Sequence, residues 1–192
     1  AYEISSVTGV QTCALPIYPA NTLQELIRNA RSSRLTHASG VGTSSHIAAD
    51  YLFRILAKLD AVHVPFKGGA PATTAVLGNQ VDVLNGSVGS TIAYVREGRL
   101  KALAVLAPRR VPGLPQVPTA AESGFPGFQE LSWIAFFGPA KLPRPIVDRL
   151  NAEINRAMAQ PDVARALGEL GMELTPGTPA ERAEFEIGRA HV

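Results

Sequence analysis

A glycine-spaced turn rich in hydroxyl side chains lies within Ala38–Phe53, which reads ASGVGTSSHIAADYLF. Gly40 and Gly42 allow positive φ and a close approach of the backbone to a ligand. Thr43–Ser45 adds hydroxyl groups and the unpaired N–H groups of a helix start, where the helix dipole favours negative charge. This combination suits an anion such as a carboxylate, but the same residue types also form an ordinary helix N-cap. Spacing alone leaves both interpretations open.

Two further loops follow predicted strands in the same way. The first turn follows Leu35–Ala38, Lys67–Gly69 follows Ala61–Phe66, and Asn85–Ser90 (NGSVGS) follows Val81–Leu84. The lysine of the second loop precedes its glycines, so this loop is not the GxxxxGK[ST] phosphate loop. In a parallel sheet all three turns emerge at one edge, where open α/β sheets bind ligands. The sequence therefore predicts a site formed by converging turns.

Enzymatic chemistry has less support from the residue pattern. A hydrolase with Ser44 or Ser45 as nucleophile is a minor alternative, because the turn lacks the GxSxG arrangement. His46 lies in the first turn of a helix, where the dipole disfavours its protonated form. His63 alternates within an apolar strand and is expected to be a core or interface residue. No H-x₃-H pair or carboxylate pair accompanies the histidines, so we expect no catalytic residue, metal or cofactor.

Helix signals alternate with the predicted strands. A capping box, Thr22–Glu25, predicts a helix to about Ala30. Strands alternating with short helices predict a parallel α/β sheet. A proline-rich stretch, Pro108–Phe128, then breaks the alternation and is the candidate domain crossing. A second helix is predicted at Ser45–Lys58, with an apolar stripe of Ile47, Tyr51, Leu52, Ile55, Leu56 and Leu59. Further helices are predicted at Pro71–Leu77, Ser90–Glu97 and Pro145–Ala159, and a further strand at Leu100–Leu106.

Composition excludes two broad classes of function. The chain has 192 residues, of which 46% are hydrophobic and 18% are charged. These fractions are those of globular proteins. No apolar run reaches the ~18–20 residues of a membrane span. The formal net charge of +2 is spread over both signs, and Arg109–Arg110 is too small a basic cluster to follow a phosphate backbone. We therefore expect no nucleic-acid partner.

Both ends of the chain resemble a translated sequencing adapter. Ala1–Ile17 (AYEISSVTGVQTCALPI) matches its fixed segments, and Glu186–Val192 (EIGRAHV) matches the adapter read from the other end. Such segments are excluded from fold prediction. Cys13 lies in the excluded part, so cysteine chemistry is not expected.

Three longer segments resemble one family. They are VHVPFKGGAPATTAVLGNQVDV (Val62–Val83), the turn segment ASGVGTSSHIAADYLF, and GRLKALAVLAPRRVPGLPQVPTAAESGFPGF (Gly98–Phe128). On these motifs the chain resembles the Bug (TctC-type) solute receptors of tripartite tricarboxylate transporters. The resemblance covers nearly all of Tyr18–Phe185. It implies a two-lobed, periplasmic-binding-protein-like α/β fold of the Venus-flytrap type II class.

The resemblance also implies a function and a set of site residues. Such receptors are periplasmic proteins of Gram-negative bacteria that close on a small carboxylic acid and deliver it to membrane permease subunits, without catalysis or cofactor. A flytrap sensor domain of a regulator is the alternative. Carried over by position, the ligand-binding residues are Ser39, Gly42, Thr43, Ser44 and His46 in the main anion loop, Lys67 and Gly68 beside it, and Asn85 at the next turn.

Compared with the family, about the first third of a receptor is absent, and with it the opposing loop of the first lobe. We assign residues 18–128 to the second lobe and 129–185 to the returning C-terminal part of the first lobe. A signal peptide is expected upstream. We also expect the chain on its own not to bind a carboxylate tightly.

Overall fold

The computed structural model describes residues 5–134, 136, 138–139, 141–175 and 177–178. The chain divides into two compact units: Thr8–Ser132, and Ala1–Val7 together with Trp133–Val192. The assignment of residues 18–128 and 129–185 to two lobes stays a prediction, and Glu186–Val192 lies outside the described residues.

Five strands build the sheet of the larger unit, in the order β3-β2-β4-β1-β5. β2 is parallel to both β3 and β4, whereas β1 is antiparallel to β4 and β5. The predicted α/β alternation is confirmed, but the sheet is mixed because β1 runs against its neighbours. The strands are β1 (Ser5–Ala14), β2 (Leu35–Gly40), β3 (Ala61–Phe66), β4 (Val83–Ser87) and β5 (Lys101–Val105).

β1 corrects one expectation. Within Ala1–Ile17, the exclusion of residues 5–14 from the fold was wrong, because residues 10–14 are fully buried in the sheet and pair with β4 on one side and β5 on the other. Residues 1–4 lie outside the described residues. The segment SSVTGVQTCA is rich in small and β-branched residues, which fit a strand covered on both faces. Burial raises the pKa of the Cys13 thiol to about 12, so this cysteine stays protonated. The adapter origin of the segment stays a prediction.

Helices cover both faces of the sheet. α1 contributes Leu26 and α2 contributes Ala49, with Leu35 and Val83, to one cluster of buried side chains. α3 contributes Val76 to another cluster on the opposite face. Successive residues of a strand point to opposite faces, which explains why Leu35 and Ala38 belong to different clusters. The helices are α1 (Leu23–Ala30), α2 (Ser44–Asp50), which continues as a π-helix (Tyr51–Leu56), α3 (Gly69–Leu77) and α4 (Val88–Arg96).

The predicted apolar stripe of α2 is only partly correct. Leu52 and Leu59 are buried, but Ile47, Tyr51, Ile55 and Leu56 have exposed fractions of 64%, 47%, 60% and 37%. The buried row instead begins with Ala48 and Ala49 and continues through Leu52 and Phe53. The two small alanine side chains allow the helix to lie close to the sheet, and the larger apolar side chains beside them face solvent.

The smaller unit is mainly helical where it is described. α5 (Arg144–Met158) confirms the predicted Pro145–Ala159 helix to within one residue at each end, and α6 (Pro161–Glu169) and a strand, Met172–Thr175, follow it. Asn151 and Asn155 donate from Nδ2 to the carbonyl oxygen of Gly177 at 3.0 and 3.1 Å. A further short strand, Leu131–Ile134, spans the boundary of the two units. No helix in the described ranges is long and apolar enough to cross a membrane.

Candidate functional site

Three strand-to-helix turns meet at the carboxyl ends of β3, β2 and β4, which are neighbours in the sheet. A Cβ atom built on Gly40 would lie 3.3 Å from the Cα of Gly68, so the first turn touches the second. One built on Gly69 would lie 3.9 Å from the Oγ of Ser90, so the second turn touches the third. The predicted convergence is confirmed, except that the third segment, Asn85–Ser90, is not a turn: β4 ends at Ser87 and α4 begins at Val88.

The first turn is closed by its own hydroxyl group. Thr43 is the N-cap of α2: its Oγ1 accepts from the N–H of His46 at 3.3 Å and donates to the carbonyl of Gly40 at 2.8 Å. Gly42 has φ of 71°, in the left-handed region that glycine adopts without strain. Gly42 and Thr43 are exposed, and Ser44 and His46 are half-buried. The turn therefore lies at the surface at the start of α2, with the Thr43 N–H donating to the carbonyl of Gly40 at 3.4 Å.

A histidine from the edge strand supports this turn. His63 on β3 lies with Nε2 2.9 Å from the Oγ of Ser39, and its ring stacks on that of His46 with centroids 3.8 Å apart. The N–H of Gly42 in turn donates to Nδ1 of His46 at 3.2 Å. Ser39 is only 1% exposed, so its hydroxyl bonds inward rather than facing solvent.

Asp50 anchors the same cluster from α2. Its Oδ1 lies 3.1 Å from Nε2 of His37, and its Oδ2 lies 3.8 Å from Nε2 of His46. Burial, together with the nearby His63, lowers the pKa of His37 to about 4. Burial and the adjacent His46 also lower the pKa of His63. His37 and His63 are therefore neutral at pH 7 and bring no positive charge to the turn.

The second and third turns contribute different groups. Gly68 has φ of 110°, and Lys67 beside it is exposed. At the third turn the Oγ of Ser87 donates to the Oγ of Ser90 at 3.0 Å, and that of Ser90 donates to the carbonyl of Ser87 at 2.9 Å. Asn85 is 1% exposed and donates from Nδ2 to Oγ1 of Thr12 at 2.9 Å.

These positions divide the predicted site residues into two groups. The structure places Gly42, Thr43, Ser44, His46, Lys67 and Gly68 along the edge formed by the turns, and it places Ser39 and Asn85 in the sheet beneath them. Ligand contact by any of them stays a prediction. His63 was not predicted as a neighbour of the turn, because alternation along a strand indicates the face on which a side chain lies but not which residues it contacts there.

The geometry bears on the alternative chemistries. His46 Nδ1 is bonded to Gly42 and His63 Nε2 to Ser39, so these two nitrogens are already occupied. Among the described residues, no group of three or more His, Cys, Asp or Glu side chains could hold a metal ion. What the edge offers is backbone N–H groups, hydroxyls and one lysine.

Comparisons with known proteins identify the family of the chain. The family model described as "Tripartite tricarboxylate transporter family receptor" matches residues 4–186. The UPF0065 protein in the tcbD-tcbE intergenic region of Pseudomonas sp. (strain P51) is 41% identical over 167 residues, which cover 85% of this chain and 49% of that protein. The chain thus spans about half the length of this relative.

Solved structures show the same fold. "R. palustris Rpa4515 with adipate" superposes with a TM-score of 0.91 at 26% identity, over 98% of this chain and 64% of that one. "MatC (Rpa3494) from Rhodopseudomonas palustris with bound malate" gives a TM-score of 0.80 at 32% identity, over 96% and 65%. A further match, the periplasmic binding protein BugD, has a TM-score of 0.88 at 28% identity, over 98% and 64%.

Proposed function

Because this chain belongs to the tripartite tricarboxylate transporter receptor family, we propose that its three converging turns form one half of a carboxylate-binding site. The observation that carries the proposal is the contact of the turns at Gly40, Gly68 and Ser90, on neighbouring parallel strands. Two of the similar structures hold adipate and malate, which are dicarboxylates. A ligand of that class has the charge that helix starts and glycine turns attract.

The strength of binding follows from the number of bonds the turns can make. A hydrogen bond to a charged group contributes roughly 1.5–3 kcal/mol. Three or four such bonds, less the free energy of association, would approach the ~8 kcal/mol of a micromolar complex. We expect the three turns described here to hold one of the two carboxylate groups of such a ligand. We therefore expect the chain itself to bind dicarboxylates with millimolar affinity.

The role of the receptor is part of the same proposal. We place the protein in the periplasm, where it captures a small carboxylic acid and presents it to the permease subunits of a tripartite transporter. Support comes from the family match over residues 4–186 and from the described fold. Binding, not turnover, is the proposed activity.

A titration of the isotope-labelled chain with malate and adipate, followed by amide NMR, tests the proposal. We expect the largest shifts at the amides of Gly42, Thr43 and Gly68, with a midpoint in the millimolar range. The neutral dimethyl ester of malate is the matched control, since it keeps the shape of the ligand and removes its charge. Thr43→Ala, which removes the N-cap hydroxyl, should weaken binding severalfold. Equal shifts with the ester, or shifts concentrated away from the turns, would refute the site.

A further inference from the structure

His63 contacts two of the residues assigned to the anion loop without itself belonging to that loop. It lies on the edge strand β3, where the alternation of apolar residues gave no reason to connect it with a ligand. Its Nε2 is 2.9 Å from the Oγ of Ser39, and its ring stacks on that of His46 at 3.8 Å with an angle of 22° between the planes. Both contacts lead to the first turn.

The contact with His46 reaches a backbone N–H of that turn. The Gly42 N–H donates to Nδ1 of His46 at 3.2 Å. A ring nitrogen that accepts a hydrogen bond carries no proton. The proton of the neutral ring then lies on Nε2, facing the Oδ2 of Asp50 at 3.8 Å. In this arrangement the imidazole accepts the hydrogen bond that the turn would otherwise offer to an anion.

We propose that His63 is a positioning residue, whose ring holds His46 in the orientation in which Nδ1 accepts the Gly42 N–H. That hydrogen bond is lost when a carboxylate binds the Gly42 N–H or when a proton binds Nδ1 of His46. This inference rests on the proposed function, and it gives the site a coupling between proton and carboxylate binding. A proton on His46 converts Nδ1 from acceptor to donor, frees the Gly42 N–H, and adds a positive charge beside the turn. All three changes favour an anion.

Other titratable groups face the stacked rings of His46 and His63 and affect the charge around them. His63 faces His37 on β2, with ring centroids 5.2 Å apart, and it also faces His46 and Asp50 on α2. Arg54, one turn beyond Asp50, lies 3.6 Å from that carboxylate. Asp50 is therefore shared between two imidazoles and one guanidinium group.

A cleft lies beside the stacked rings of His46 and His63. Its volume is about 570 Å³, and Arg34, Arg54 and Asp60 line it together with the two imidazoles. Arg34 lies 3.8 Å from Asp60, so this second carboxylate also has a cationic neighbour. The cleft gives water, and hence protons, access to the imidazoles.

The first test uses the 192-residue chain without ligand. Amide exchange at Gly42 and the ring ¹⁵N shifts of His46 are measured in wild type, His63→Phe and His63→Gln. Phenylalanine keeps the stacked ring and loses the bond to Ser39, whereas glutamine keeps a polar group for Ser39 and loses the ring. We expect His63→Phe to behave as wild type, and exchange at Gly42 to rise about three- to tenfold in His63→Gln as its hydrogen bond weakens.

Two outcomes would overturn the proposal. One is unchanged exchange and an unchanged His46 tautomer in His63→Gln; the other is an equal rise in both variants, which would assign the effect to the Ser39 bond. If His63→Gln does not fold, His63→Leu, which also lacks the ring, is measured in its place. Unchanged Gly42 exchange in that variant would refute the role of His63.

Malate is the probe for the coupling to ligand. Its dissociation constant should be lower when the ring ¹⁵N shifts show His46 protonated than when they show it neutral, and this difference should be smaller in His63→Gln. Arg34→Gln, which changes the same cleft away from the stacked pair, should keep the wild-type profile. Tighter malate binding at the higher pH would contradict the coupling. Absence of malate binding in both protonation states would refute the proposed function, while Gly42 exchange would still decide the role of His63.

Discussion

Acid should destabilise this protein through a histidine that folding removes from water. His37 is fully buried; its Nε2 contacts Asp50 at 3.1 Å, and its ring lies 5.6 Å from that of Phe53. Its other ring nitrogen, Nδ1, has no hydrogen-bond partner within the described structure. The Asp50 carboxylate favours the charged ring, but burial outweighs it. These surroundings explain why its pKa falls to about 4 on folding, with burial as the largest cause.

The direction and size of the effect follow from proton linkage. In the unfolded chain His37 takes up a proton near its ordinary pKa of 6.5, whereas in the folded protein it does so only near a pKa of about 4. Between these values the unfolded state binds more protons, so the free energy of unfolding decreases as the pH falls from about 6.5 towards 4. Relative to pH 8, the loss attributable to His37 is about 2 kcal/mol at pH 5 and about 3 kcal/mol at pH 4.

Urea unfolding followed by far-UV circular dichroism at pH 8, 6 and 5 measures this loss. The variant His37→Gln keeps a donor for Asp50 and does not titrate. It should be less stable than wild type at pH 8, but its decrease between pH 8 and pH 5 should be smaller by about 2 kcal/mol. Arg34→Gln, an exposed change just before the same strand, is the control and should retain the wild-type decrease. Parallel pH profiles for wild type and His37→Gln would show that the reasoning is wrong.

Two further predictions concern the turns and the helix that carry the proposed site. Gly68 has φ of 110°, which strains any residue with a side chain, whereas a Cβ on Gly69 would meet only the Ser90 Oγ, at 3.9 Å. Gly68→Ala should therefore lower the free energy of unfolding by about 1–3 kcal/mol and Gly69→Ala by less than about 0.5 kcal/mol, and equal urea midpoints would contradict this. On the helix, Leu52 is fully buried and Ile55 is 60% exposed. Leu52→Ala should cost about 2–5 kcal/mol and Ile55→Ala less than about 0.5 kcal/mol in thermal and urea unfolding, and comparable losses would place Ile55 in the core.

The sequence was most informative where glycine and proline punctuate short apolar segments. The strands predicted at Leu35–Ala38, Ala61–Phe66 and Val81–Leu84 are present to within three residues at each end. Pro65 fits this pattern, because β3 is an edge strand and one of its sides needs no N–H donors. The convergence of the turns followed from parallel order alone and is correct.

The predictions were wrong where the same residues fit two structures and only contacts with distant parts of the chain decide between them. Ala1–Ile17 was excluded because it matches an adapter, yet residues 10–14 within it are buried in a central strand. On α2, two apolar rows lie side by side, and periodicity cannot show that Ala48 rather than Ile47 faces the sheet. For the site, burial of Ser39 and Asn85 depends on neighbours in other strands, which a single sequence does not display.

The position of β1 has a consequence for the order in which the sheet assembles. β1 occupies the slot between β4 and β5, and its Gln11 bonds Thr91, 80 residues later in the chain. The centre of the sheet therefore rests on pairing between segments far apart in the chain, a topology that is associated with slow folding. Without β1 the facing edges of β4 and β5 would be unpaired, and a separate peptide of the same ten residues should be able to pair with them.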